Sequence, residues 1–164
     1  MARRLLLLLG LFFLFSVSAG AQGVDLFGGY SFERLDSSPG RNLSGIEVTG
    51  QYKLRDFFGI AADFDAHFGL PSSFDARTLD FMAGPQISFP ARISPFVHVL
   101  GGVGHISFNG ATDNSFAVAF GGGVDMRIVP FVSWRIVQID DLVTHHFDTV
   151  QHNARVSTGL VFRF

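Results

Sequence analysis

The sequence predicts an all-β protein: an eight-stranded antiparallel up-and-down transmembrane β-barrel behind a cleaved leader. Three observations predict it. Phe occurs 20 times and Gly 19 times, while charged residues make up only 16%, against about 25% in soluble domains. Beyond the N-terminal segment no stretch is apolar enough for a membrane helix. In its place, runs of about ten residues alternate in polarity between turn residues, as transmembrane strands do. The number of runs is even, and their connections alternate long and short.

The N-terminus reads as a secretory signal. Arg3 and Arg4 precede the apolar run Leu5 to Val17, and Ala19-Gly20-Ala21 is a small-residue cleavage site. The run is shorter than the roughly 20 residues a spanning helix needs. Residues 1–21 are therefore assigned to the signal peptide and 22–164 to the barrel domain. The absence of Cys excludes disulfides, thiol catalysis, thiolate metal sites and lipid attachment through Cys. A net charge of −2 gives no sign of nucleic-acid binding.

The first strand is expected over Val24 to Phe32, with Val24, Leu26, Gly28, Tyr30 and Phe32 on one face and Asp25, Gly29 and Ser31 on the other. Glu33 to Leu43 reads as a polar loop. The second, Ser44 to Tyr52, sets Ile46, Val48 and Tyr52 against Glu47, Thr49 and Gln51, and Lys53 to Asp56 forms a short turn. The third, Phe57 to Phe68, is the clearest. Phe58, Ile60, Ala62, Phe64, Ala66 and Phe68 oppose Asp63, Asp65 and His67.

After a loop at Gly69 to Asp75, the fourth strand, Arg77 to Ser88, alternates Leu79, Phe81, Ala83 and Ile87 with Thr78, Asp80, Gln86 and Ser88. A turn around Pro90 leads to the fifth, Phe96 to Ile106, which is apolar on both faces, so its orientation stays open. Ser107 to Ser115 reads as a loop. The sixth, Phe116 to Arg127, sets Phe116, Val118, Phe120, Val124 and Met126 against Ala117, Ala119, Gly121, Gly123, Asp125 and Arg127.

Ile128 to Pro130 is a tight turn. The seventh strand, Phe131 to about Asp140, changes phase: Arg135 lies on one face, Gln138 and Asp140 on the other. One extra residue near Val137, a β-bulge, would unite them. Asp141 to Asn153 reads as the last long loop. The eighth strand, Arg155 to Phe164, points Val156, Thr158, Leu160, Phe162 and Phe164 outward and Arg155, Ser157, Gly159 and Arg163 inward.

Strands this apolar must close on themselves in lipid, where an unpaired backbone group costs several kcal/mol. An eight-stranded interior is just wide enough for side chains. The inward acids Asp25, Glu47, Asp63, Asp65, Asp80 and Asp125 are expected to meet Arg127, Arg135, Arg155 and Arg163 in a lumen charge network, because buried charges are tolerable only when paired.

The aromatic last strand, its inward arginines, Gly121-Gly122-Gly123-Val124-Asp125 before a short turn, and the stretches 135–140 and 157–164 resemble the small OmpA/OmpX-like outer-membrane β-barrels. That resemblance implies a bacterial outer-membrane location in outer-membrane lipid. It also implies that the barrel-assembly machinery is a partner, with Val156, Thr158, Leu160, Phe162 and Phe164 as its recognition signal. It does not imply one function, because this fold hosts anchors, adhesins, enzymes and pores. A non-enzymatic structural or surface-interaction role carried by external loops is expected, with no cofactor.

Three alternatives remain: a narrow pore, a soluble lipocalin-like barrel with aromatic side chains inside, and a lipid-modifying enzyme. The last would rest on His105 and Ser107, whose spacing resembles the His-x-Ser of lipid A deacylases but lacks an evident third group to orient the His. His145, His146 and His152 share a segment with Asp141 and Asp148, a set whose spacing fixes no metal geometry. His67 and His98 read as satisfied lumen or interface histidines.

Overall fold

The computed structural model describes residues 23–35, 41–69, 76–108, 111–146 and 149–164. The segment read as a signal peptide lies outside them, as does most of the expected loop 69–75. Eight strands follow one another: β1 (Val24–Leu35), β2 (Arg41–Arg55), β3 (Phe58–Gly69), β4 (Ala76–Ser88), β5 (Ile93–Phe108), β6 (Ala111–Val129), β7 (Val132–His146) and β8 (Thr149–Arg163). Each pairs antiparallel with the next, and β1 pairs with β8 from Asp25↔Arg163 to Arg34↔Ala154, so the sheet is a closed barrel. The seam is extended by two backbone bonds: the Val24 amide donates to the Phe164 carbonyl, and the Phe164 amide donates to Val24.

Closure explains why so amphipathic a sheet is stable. It leaves no edge of unpaired backbone groups. Alternation along each strand then sends one phase outward and the other into the lumen. Ile46, Phe64, Phe81, Phe116, Phe120 and Ile139 are among the large apolar side chains exposed on the outside. Asp63, Asp65, Glu47, Asp140 and Arg155 are buried inside. A soluble barrel with an aromatic interior is contradicted by this arrangement.

The fifth strand takes a definite orientation. Phe96, His98, Leu100 and Ile106 are buried in the lumen, while Val97, Val99 and Val103 are exposed. Apart from Ser94 and His98, its inner face is apolar because it supports a cluster of Ala61, Met82, Leu100, Ala117, Ala119 and Leu142 that fills one side of the interior. The phase change in β7 is a bulge: Arg135 pairs with Gly159 and Gln138 with Ser157, leaving Ile136 and Val137 out of the β7/β8 register. Thr158 donates its hydroxyl to the Arg135 carbonyl at 2.9 Å and accepts the Trp134 indole N–H at 3.2 Å. The backbone group freed by the bulge is thus satisfied.

Three expected loops are corrected. Glu33 to Leu35 continue β1 and residues 41–43 begin β2, with Glu33↔Leu43 in register. Within 107–115, Ser107 pairs with Thr112. Within 141–153, pairs run from Asp141↔Ala154 to His146↔Thr149. Their outward phase is mostly polar, at Arg34, Asn42, Thr112 and Asp141 for example, so they lack the apolar stripe by which a spanning strand is read. Ladder hydrogen bonds nevertheless continue through them as hairpin extensions.

Candidate functional site: the charged lumen

The lumen is stacked in tiers. At the end that carries the short turns, Lys53 Nζ lies 2.7 Å from Asp25, while Arg163 makes only longer approaches, 3.9 Å to Asp25 and 3.6 Å to Asp125. Arg127, assigned to the lumen network from its phase, is instead exposed at this rim. Its phase is inward, but it lies beside the β6–β7 turn, where the wall ends.

Above this rim sits Arg135. Its Nε and Nη2 donate to the two oxygens of Asp125, at 2.9 and 3.3 Å. Its guanidinium lies between two inward rings, 4.3 Å from the centroid of Phe27 and 4.2 Å from that of Phe96. Such stacking suits a planar guanidinium, which is weakly hydrated and attracted to ring faces. Gly123 makes the room: a Cβ there would stand 2.9 Å from the Phe96 ring.

The centre is organised by Arg155, which has no exposed surface. It donates from Nε and Nη2 to Asp140 at 3.0 and 2.8 Å, lies 2.8 Å from Asp63 through Nη1, contacts Asp65, and approaches Glu47 at 3.8 Å. Four carboxylates from β2, β3 and β7 thus converge on one guanidinium from β8. Gln138 ties the tiers together: it accepts from Arg135 at 2.6 Å and donates to Glu47 at 2.8 Å and Asp140 at 2.7 Å. Gly121 admits Asp140, whose Oδ1 would lie 1.8 Å from a Cβ at that position.

Towards the opposite end, His67 lies 3.1 Å from Asp65 and 3.4 Å from Glu33 through Nδ1, and 2.9 Å from Ser31 through Nε2. Thr78 donates to Glu33 at 3.0 Å. Leu35 and Leu43 form a buried apolar pair beyond it. His98 Nε2 meets Asp140 at 2.8 Å. Asp80 faces Asp65 across the β3/β4 ladder rather than an arginine.

Asp25, Glu47, Asp63, Asp65, Asp80, Asp125, Arg135, Arg155 and Arg163, expected on inward phases, come together in these tiers. Glu33, expected in a loop, joins them, and His67 and His98 find partners that their spacing does not indicate. Phe27 and Phe96 are inward residues that the polarity pattern does not single out. Their signal was parity: Phe27 shares the phase of Asp25 and Ser31.

The other candidates lie elsewhere. His105 meets Asn114 at 2.6 Å through Nδ1 on the outer face, and no hydrogen bond joins it to Ser107 among the described residues. His152 lies 3.1 Å from Asp141; the side chains of His145 and His146, and the whole of Asp148, fall outside the described residues. No group of three His, Asp or Glu side chains among the described residues is placed to hold a metal ion. The outward stripe of β8 is exposed at Val156, Leu160, Phe162 and Phe164.

No protein-family model and no curated protein matches the chain. Solved structures do. Neisserial surface protein A superposes with a TM-score of 0.69 at 15% identity, covering 86% of this chain and 97% of that one. Ail of Yersinia pestis gives 0.63 at 17%, covering 87% and 98%. OprG of Pseudomonas aeruginosa gives 0.58 at 14%, covering 88% and 96%. At these identities the likeness is one of fold, and this chain has the fold of the small eight-stranded outer-membrane β-barrels.

Proposed function

We propose that this chain is a non-enzymatic protein of the bacterial outer membrane, with a closed lumen, that acts through the surface it presents outside the cell. The observation that carries this reading is the inverted distribution of polarity, apolar outside and charged inside. Aromatic and aliphatic side chains face outward, where lipid is the solvent that accommodates them. Inside, the Arg135 and Arg155 tiers occupy the bore. With the termini and short turns in the periplasm, the extended ends of β1–β2, β5–β6 and β7–β8 stand above the membrane. Binding residues concentrate on such protruding connections of a rigid scaffold.

Two of the similar structures support a surface role. One is described as a surface protein, and Ail, the attachment invasion locus protein, has been crystallised with the heparin analogue sucrose octasulfate. The lumen argues against a pore, since an eight-stranded interior has room only for its side chains. The outward position of His105 and its amide partner argue against hydrolysis there.

Two measurements test the reading. The protein should fractionate with the outer membrane and run as a heat-modifiable band that requires detergent. Refolded protein in planar bilayers should give no steady single-channel conductance. A reproducible conductance would overturn the closed lumen, and a detergent-independent soluble fold would overturn the membrane assignment.

A further inference from the structure

We propose that the turn-end vestibule of the barrel is a binding site for a small oxyanion, a phosphate or carboxylate group, held by Arg127 and Arg163 with Lys53 beside them. A cavity of about 140 Å³ opens there, lined by these three cations together with Asp25, Asp56 and Asp125. Asp125 of its wall holds Arg135, which lies between Phe27 and Phe96 deeper in the bore. The site rests on the barrel geometry alone; its periplasmic address rests on the outer-membrane reading above.

The acids in the wall do not neutralise the two arginines. Asp125 is held by both oxygens to Arg135. Asp25 is taken by Lys53 at 2.7 Å. Arg163 is left with contacts of 3.6 and 3.9 Å, longer than a charge-assisted hydrogen bond. Its Nε is buried and has no hydrogen-bond partner, so the protein leaves this guanidinium unsaturated, and its exposed edge is what an incoming oxygen would meet. Arg127 forms no ion pair among the described residues. Asp56, which remains, is an exposed turn residue.

Two guanidiniums at one mouth suit an oxyanion because each presents a planar fork that two oxygens of one phosphate or carboxylate can meet. The cavity admits one such group and little more. Two sources present it in the periplasm: phosphate, free or as a lipid headgroup, and the carboxylates of peptides.

The test uses the full barrel refolded in an uncharged detergent, with amide NMR shifts followed during titration with sodium phosphate and, separately, sodium acetate. Sodium chloride holds the ionic strength constant. Saturable shifts at Lys53, Arg127 and Arg163 with either anion support the site. Saturation by phosphate alone identifies a phosphate ligand, saturation by acetate alone a carboxylate, and saturation by both an oxyanion site without selectivity. Arg127→Gln, at the exposed rim, should weaken binding about tenfold, the loss of roughly one charged hydrogen bond. Arg55→Gln, a turn cation outside the cavity, should leave it unchanged. Linear shifts with both anions, an unaltered response in Arg127→Gln, or an equal loss in Arg55→Gln would overturn the proposal. Folding of each variant is checked by heat-modifiable migration. A chain that folds without detergent would refute the membrane reading while leaving the site standing.

Discussion

Arg155 is the residue whose removal should do most damage. Its guanidinium is fully buried and contacts Asp63, Asp65 and Asp140, with Glu47 at 3.8 Å. Arg155→Met preserves much of the volume and removes the charge. Breaking a buried ion pair by deleting one partner costs about 3–5 kcal/mol. A bound on that cost comes from the chamber's simplest remedy, which is to take up a proton. For an ordinary aspartate at pH 7 this lies about 3 units from its titration, or about 4 kcal/mol. The two figures agree, so a loss of about 4 kcal/mol is expected. Because proton uptake becomes cheaper in acid, the deficit should shrink to roughly 1–2 kcal/mol at pH 5.

The assay is urea unfolding of the barrel refolded in phospholipid vesicles. Trp134 is the chain's one tryptophan and faces outward, so its emission reports loss of lipid contact. Arg155→Lys should fall between wild type and Met, because an ammonium supplies the charge without the fork that reaches several carboxylates at once. A loss for Arg155→Met under about 1 kcal/mol, or one independent of pH, would refute the claim that the carboxylates depend on this cation.

Phe64→Arg, at mid-strand on the outer face, should cost about 2–4 kcal/mol, and Thr112→Arg, exposed near the far end of β6, about 0–1; equal costs in the same urea assay would mean the lipid-facing band is misplaced. Gly121→Ala should lose about 1–3 kcal/mol, because the new Cβ collides with the Asp140 carboxylate, whereas Gly28→Ala, with open space around it, should be neutral. Removing Phe164 should lower the amount of assembled barrel in cells, and Phe164→Ala separates the causes. The Ala variant keeps the two backbone bonds to Val24, so normal assembly of it would show that the aromatic side chain is not what the assembly machinery reads.

The outer face was legible because lipid imposes one demand on every spanning position. Phe58 to Phe68 showed this best: the outward phase is apolar at each step and the inward phase carries Asp63, Asp65 and His67. The bulge in β7 was legible for the same reason, since Arg135 and Gln138 could share the lumen only if a residue were inserted between them. Where lipid stops, that demand stops. Arg34↔Asn42, Ser107↔Thr112 and Asp141↔Ala154 are outward ladder pairs like any other, but they are mostly polar and carry no stripe.

The lumen was legible as a population of charges and not as a set of partners. Parity along a strand says that Arg155 points inward; it does not say how high in the bore the guanidinium ends, which depends on the shear between strands far apart in sequence. Arg155 reaches Asp63 and Asp65 on β3, across β1 and β2, because the eight-stranded bore is narrow enough for a long side chain to cross. The shorter Asp125 has only Arg135 within hydrogen-bond reach. The same narrowness explains why β5 resisted orientation. One side of the bore holds the charged tiers, and the other must be filled by Met82, Leu100 and Leu142, so β5 sets Phe96, Leu100 and Ile106 inward beside His98. Inward polarity is therefore a rule for the barrel as a whole and fails strand by strand, wherever the interior closes on itself by packing instead of by ion pairing.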